Sequence, residues 1–157
     1  MDLKDYIRSI KDYPKKGILF RDITTLIKNE TAFEESINQI VERSKKFKID
    51  KIAAIESRGF VFASAVSYIL KKPFIMLRKK NKLPADVHSV DFELEYGTAT
   101  IEVHKDSISE NDSVLIIDDL IATGGTAEAA AKLVEISKGN IAAFIFVIPI
   151  TSAFHDL

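Results

Sequence analysis

The sequence contains no cysteine. Disulfides and thiolate metal sites are therefore ruled out, which fits a reducing compartment. No apolar run reaches membrane-spanning length. The first residues, Met1-Asp2-Leu3-Lys4-Asp5, are too polar to begin a secretory signal, so a soluble cytoplasmic protein is expected. There is no excess of either charge: 22 Lys and Arg stand against 23 Asp and Glu, for a net charge of −1. A nucleic-acid binder carries a basic footprint, and none is visible overall. Internal repeats and low-complexity linkers are also missing. So are two common phosphate patterns, Gly-x-x-x-x-Gly-Lys-Ser/Thr and Gly-x-Gly-x-x-Gly, which leaves neither a P-loop nor a dinucleotide fingerprint. What is present is 157 residues, 46% hydrophobic and 29% charged, the balance of one soluble domain with a sizeable core.

One stretch concentrates the chemistry. Val114-Leu115-Ile116-Ile117 is an unbroken aliphatic run and reads as a strand buried on both faces. Asp118 and Asp119 follow at its C-terminal end, then Ala122-Thr123-Gly124-Gly125-Thr126, then an alanine-rich helix from Ala127. A loop at the carboxyl end of a parallel strand is where open α/β sheets bind ligands. A glycine-rich turn opening a helix aims N–H groups outward, and the helix dipole adds partial positive charge. Gly124 and Gly125 permit close approach of a phosphate, and Thr123 and Thr126 add hydroxyl donors. The loop suits a phosphate monoester. The aspartates suit a neutral hydroxylated group or a metal. A phosphate beside a diol is the outline of a ribose 5-phosphate. Either half alone also fits an ordinary solvated turn; both halves together favour a binding site.

The rest of the chain supplies the frame. The spacing of Leu3, Ile7 and Ile10 predicts a helix over residues 2–12, ended by Pro14. Residues 18–23 are a short apolar segment with a charged pair inside. Thr31 and Glu34 form a capping box ahead of a helix with the stripe Phe33, Ile37, Ile40 and Val41. Residues 52–55 read as a buried strand, Glu56-Ser57-Arg58-Gly59 as its C-terminal loop, 60–70 as an apolar helix and 74–77 as the next strand. That order implies a right-handed parallel crossover, which puts this loop on the same sheet edge as the Asp118–Thr126 segment. Arg58 offers a forked cation matched to phosphate oxygens, and Gly59 allows close backbone approach. The basic run Arg78-Lys79-Lys80-Asn81-Lys82 reads either as a solvated face or as a lid over a polyanion. Residues 92–96 and 99–103 alternate and predict a hairpin with Gly97-Thr98 between them. Gly139 is the expected helix C-terminus, and residues 142–148 form a last buried strand. The fold class is α/β, a doubly wound, mainly parallel sheet flanked by helices, with a hairpin insertion.

Residues 114–126 resemble the phosphoribosyl-pyrophosphate signature of type I phosphoribosyltransferases: an aliphatic strand, two acidic residues, then a small-Thr-Gly-Gly-Thr loop. Phe20-Arg21-Asp22, Glu56-Ser57-Arg58-Gly59-Phe60 and Leu94-Glu95-Tyr96-Gly97 are similar to the adenine branch of that family. The resemblance runs from about Pro14 to Val147. It implies transfer of the 5-phosphoribosyl group from phosphoribosyl pyrophosphate to adenine, giving AMP and pyrophosphate. It also implies Mg²⁺ held through the substrate with no direct protein ligand, a homodimer, and neither a nucleic-acid nor a membrane partner. A transferase for another purine (hypoxanthine, guanine or xanthine) and a non-catalytic regulator binding phosphoribosyl pyrophosphate or AMP are the alternatives.

Carried over by residue, the resemblance gives Asp118 and Asp119 the ribose hydroxyls. Ala122, Thr123, Gly124, Gly125 and Thr126 take the 5-phosphate. Glu56, Ser57, Arg58, Gly59 and Lys82 receive pyrophosphate, with a cis peptide expected at Glu56–Ser57. Glu95 manages the proton on adenine, and Leu19, Phe20 and Arg21 cover and read the base. A single domain over 1–157 is implied, with a hood in 1–30 and a flexible loop and hairpin over 78–103. The C-terminal segment departs from the family, since Pro149 stands near the place of a usual glutamate.

Overall fold

Residues 2–12 do not form the helix that Leu3, Ile7 and Ile10 predict. A single 3₁₀ turn, Leu3–Tyr6, is followed by strand β1 (Arg8–Lys11), which pairs antiparallel with β2 (Leu19–Asp22). The hairpin wins because its cross-strand partners match. Arg8 Nε donates to Asp22 Oδ2 at 3.0 Å, and Arg21 donates to Ser9 Oγ. Asp12 (φ 56°) and Gly17 (φ 89°) turn the connection, and the Tyr13–Pro14 bond is cis. Asp22 Oδ1 also accepts from the Thr24 N–H and hydroxyl. The Thr24 hydroxyl first, then Arg8, hold the Asp22 carboxyl down at about 2.

The computed structural model describes residues 1–94, 97–120 and 125–148. Glu95, Tyr96, Ala122, Thr123, Gly124 and the segment 149–157 that holds Pro149 lie outside the described residues. The chain divides into two compact units, Met1–Arg43 and Ser44–Leu157. The first holds the hairpin, the short helix α1 (Thr24–Ile27) and nearly all of α2 (Glu30–Ser44). Asn29, not Thr31, caps α2: its Oδ1 accepts the Ala32 N–H at 2.9 Å, and Thr31 lies inside the helix. Ile37 and Ile40 on the predicted stripe are buried.

The second unit is built on a six-stranded sheet. Its strands are β3 (Lys51–Ile55), β4 (Phe74–Lys79), β5 (Val87–Leu94), β6 (Gly97–His104), β7 (Ser113–Leu120) and β8 (Asn140–Ile148), in the order β5-β6-β4-β3-β7-β8. Four of them, β4, β3, β7 and β8, are parallel neighbours; β6 and β5 continue the sheet antiparallel. Helix α3 (Arg58–Leu70) links β3 to β4, and α4 (Gly125–Ile136) links β7 to β8. The central strands are apolar on both faces because both are covered. Ala53, Ile55, Val114 and Ile116 pack in one cluster with Ala129, Ala130, Leu133 and Val134 of α4. Their alternates Ile52, Ala54, Leu115 and Ile117 are equally buried, as are Phe62, Ala63 and Val66 of α3.

Three local readings shift. β4 continues through Arg78 and Lys79, so the polar segment before β5 is only 80–86. Gly97 and Thr98 belong to β6, opposite Leu94 and Glu93, rather than lying between the strands. At the end of α4, Lys138 takes the left-handed conformation (φ 66°), not Gly139. Space is what demands the glycine. An added Cβ at Gly139 would sit 2.8 Å from Ile108 Cγ2 and 3.1 Å from Val134 Cγ1, both on buried side chains.

Candidate active site

β3 and β7 lie side by side, and the chain leaves them in opposite directions, toward β4 and toward β8. Their carboxyl ends flank the crevice where open α/β sheets hold ligands. β3 delivers Glu56 and Ser57, and Arg58 opens α3. β7 runs on past both carboxylates, Asp118 and Asp119, to Leu120, and Gly125 and Thr126 form the first turn of α4. The leading N–H groups of such a turn have no partner within the helix. Gly59 answers a packing demand at this point. An added Cβ would lie 3.0 Å from both Asp118 Oδ1 and the Ile117 carbonyl oxygen. Glycine lets the start of α3 press against the end of β7.

A cavity of about 700 Å³ covers these strand ends. One part of its wall is Ser57, Arg58, Asp118, Asp119 and Thr126; another is the lysine set Lys79, Lys80 and Lys82. A third part is apolar and includes Phe92, Leu94, Phe144 and Phe146. Phe144 and Phe146 lie parallel with centroids 6.1 Å apart, opposite Ile116 and Asp118 in the β7–β8 register. Sequence reasoning missed this apolar wall. The available signal was the spacing of Phe144 and Phe146, two apart in a strand, which puts both rings on the face of Ile116 and Asp118.

The carboxylates differ in surroundings. Asp119 is 3% exposed. Arg58 Nε stands 3.0 Å from its Oδ2 as an ion pair, and that oxygen receives no aligned hydrogen bond among the described residues. Asp118 Oδ1 accepts the Asp119 N–H at 2.8 Å. Burial, followed by the hydrogen bond and charge of the Asp119 carboxylate, pushes the Asp118 carboxyl up from 3.8 to about 8, against the smaller opposing pull of the Asp119 N–H and Arg58. The pair therefore keeps a proton well above the ordinary carboxylate range.

That proton has a consequence for stability. The folded chain binds it and the unfolded chain does not, so this contribution is full below 3.8 and is lost as pH rises through about 8. Asp118→Asn removes the titration. The melting temperature of the variant relative to the parent chain is expected to climb between about pH 5 and about pH 8. A difference that stays flat in thermal melts across this range would contradict the assignment.

The family described as phosphoribosyl transferase domain matches residues 22–150. An adenine phosphoribosyltransferase of Pelagibacter ubique is 85% identical over 148 residues, which is 94% of this chain and 85% of that protein. The chain belongs to the type I phosphoribosyltransferase family, in its adenine branch. Solved structures agree. Adenine phosphoribosyltransferase from Thermoanaerobacter pseudethanolicus is 48% identical with a TM-score of 0.89, covering 92% of this chain and 84% of that one. The Saccharomyces cerevisiae adenine phosphoribosyltransferase is 36% identical with a TM-score of 0.87, also covering 92% and 84%; it was solved with adenine and an imino-altritol bisphosphate.

Of the residues this phosphoribosyltransferase is expected to direct at pyrophosphate, Glu56, Ser57, Arg58 and Lys82 all line the cavity. The Glu56–Ser57 bond is cis, at the position expected. The Glu56 carboxylate is already engaged: Oε1 accepts the Lys79 N–H at 2.6 Å and lies 3.4 Å from Arg78 Nε. Through that oxygen it braces the end of β4. Asp118, Asp119 and Thr126 share the cavity wall, and Gly125 opens the helix beside Thr126. Ala122, Thr123, Gly124 and Glu95 are outside the described residues. Leu19, Phe20 and Arg21 sit on β2 in the first unit. There Leu19 is exposed, and Phe20 meets Tyr13 edge to face at 5.1 Å between centroids.

Proposed function

We propose that the chain transfers the 5-phosphoribosyl group of phosphoribosyl pyrophosphate to adenine, releasing AMP and pyrophosphate. The observation that carries this reading is one cavity holding paired carboxylates, the first turn of α4 and a cluster of cations. Each feature answers one part of the substrate. Asp118 and Asp119 take the ribose hydroxyls. The segment from Ala122 to Thr126 takes the 5-phosphate, with the α4 dipole behind it. Arg58 and the lysines, Lys82 first among them, receive pyrophosphate. Leu19, Phe20 and Arg21 read the base.

In the reaction the bond from the ribosyl carbon to pyrophosphate breaks, and the bond to an adenine nitrogen forms. The proton on that nitrogen passes to Glu95. The ribosyl group is oxocarbenium-like in between, so positive charge grows beside Asp118 and Asp119. Charge growing there is stabilised by the negative charge that the pair carries. Positioning and exclusion of water complete the catalysis, since the same carbon would otherwise be hydrolysed.

Mg²⁺ fits this site as a companion of the substrate. The buried Asp119 Oδ2 on the cavity wall still has acceptor capacity. Bound to substrate oxygens, the ion would neutralise charge on the departing pyrophosphate. A homodimer belongs to the proposal. Val61, Tyr68 and Ile69 of α3 and Met76 of β4 leave apolar surface exposed, suited to a second copy. A light-scattering mass equal to one chain would exclude it. The cytoplasm is the compartment proposed, in keeping with a cysteine-free chain. Among the described residues, no helix is long and apolar enough to cross a membrane.

The deciding experiment is pyrophosphate release with adenine, guanine, hypoxanthine and xanthine in turn. Adenine is expected to lead by about a hundredfold or more in kcat/KM. Equal rates with another purine, or AMP binding without turnover, would overturn the proposal.

A further inference from the structure

Glu102 of β6 lies outside every role assigned so far. It is 6% exposed, and with Asp22 and Asp119 it completes the buried carboxylates among the described residues. It stands between two strands, opposite Arg78 on β4 and Ser89 on β5. Among the described residues neither oxygen is held in an ion pair, although the charge of Lys80 also acts on the carboxylate. Oε2 accepts from the Ser89 hydroxyl at 2.5 Å, and Oε1 accepts the Asn81 N–H at 2.8 Å. Asn81 has a φ of 67°, so it marks the point where the chain turns away after β4. A second tie closes the far side of the same segment: the Ala85 N–H donates to His104 Nε2 at 3.3 Å. Between these two anchors on β6 lie Lys82, Leu83 and Pro84. Lys79, Lys80 and Lys82, around the Asn81 anchor, line the cavity.

A charged acceptor suits this post. A hydrogen bond to an ionised group is about twice as strong as a neutral one. The Ser89 hydroxyl first, then the Asn81 N–H, hold the Glu102 carboxyl below its ordinary value, against its burial. A bare loop of lysines would repel itself and spread into solvent; an anchored one presents its cations at a fixed place.

We infer that Glu102 is a positioning residue: it ties the lysine loop to β6 and thereby sets where Lys82 meets pyrophosphate. This rests on the reading of Lys82 given above. Glu102→Ala is expected to raise KM for phosphoribosyl pyrophosphate about ten- to a hundredfold, the order that follows from misplacing a binding group by about 1 Å. KM for adenine stays unchanged, and kcat falls less than that KM rises. Hydrogen exchange at the Asn81 amide quickens. Glu102→Gln keeps a neutral acceptor toward Asn81 and restores part of the loss. A purely structural role would instead reduce the active fraction, lowering kcat with both KM values intact.

Lys82→Ala serves as the reference variant. Should Glu102→Ala fail to fold, Ser89→Ala removes one of the two donors and is expected to shift the same KM in the same direction by less. If Lys82→Ala raises KM for phosphoribosyl pyrophosphate while the Glu102 or Ser89 variant leaves it unchanged, the inference on Glu102 falls. If Lys82→Ala also leaves it unchanged, the reading of Lys82 falls and this inference with it.

Discussion

Replacing Asp118 and Asp119 together by Asn is expected to lower kcat/KM about a thousandfold while the fold survives. Asn keeps the shape of each side chain, exchanges one acceptor oxygen for an N–H donor, and takes away the negative charge of the pair. Hydroxyl recognition can continue; stabilisation of a positive ribosyl carbon cannot. Folding tolerates the change for specific reasons. Burial and the neighbouring carboxylate already favour the neutral form of Asp118, so Asn there removes little buried charge. Asp119→Asn breaks the Arg58–Asp119 ion pair, yet the Arg58 side chain is 46% exposed and water can solvate it. Steady-state rates beside thermal melts check both halves. Near-normal turnover in the double variant would remove the pair from the mechanism.

Arg58→Ala is expected to cost on the order of a hundredfold in kcat/KM for phosphoribosyl pyrophosphate, through two routes that add. The first is loss of the forked cation proposed for the departing pyrophosphate. The second acts on the carboxylates. Arg58 Nε stands 3.0 Å from the buried Asp119 Oδ2, and Arg58 also pulls the Asp118 carboxyl downward. Without it, Asp119 is a buried charge with no counterion among the described residues, and Asp118 gives up its proton at higher pH. The acidic limb of the pH–rate profile should therefore move upward as the rate falls. Arg58→Lys returns part of the activity, since a point charge replaces the charge but not the fork. A pH–rate profile that keeps both its height and its position in Arg58→Ala would contradict both routes.

The parallel core was legible because its signals are strong and local. Uninterrupted runs such as Val114-Leu115-Ile116-Ile117 leave few alternatives to a buried strand, and a helix between two such runs dictates a crossover. From that alone the Glu56–Gly59 and Asp118–Thr126 segments were placed on one sheet edge, and the cavity lies there. What stayed hidden depends on partners distant in sequence. The Leu3-Ile7-Ile10 spacing fits a helix, and only the match of Arg8 with Asp22 and Arg21 with Ser9 turns residues 8–11 into a strand. Asn29 and Thr31 are both good caps, and tertiary context chose Asn29. Gly139 after Lys138 fits a conformational need in the sequence, whereas Ile108 packed against it makes it a steric one. At the site, the residue types were readable but not their engagements. Nothing in the order of letters says that Glu56 is committed to Lys79 and Arg78, or that Glu102 reaches Asn81.

The central claim is that a ribose phosphate is gripped between the carboxyl end of β7 and the first turn of α4. Hydrogen exchange with and without saturating AMP tests it at the level of single amides. Slower exchange is expected at the Gly125, Thr126 and Ala127 amides and along residues 118–120, with the far end of β7 near Ser113 unchanged. Saturation with AMP that leaves the start of α4 exchanging as before, with protection elsewhere in the chain, would contradict it.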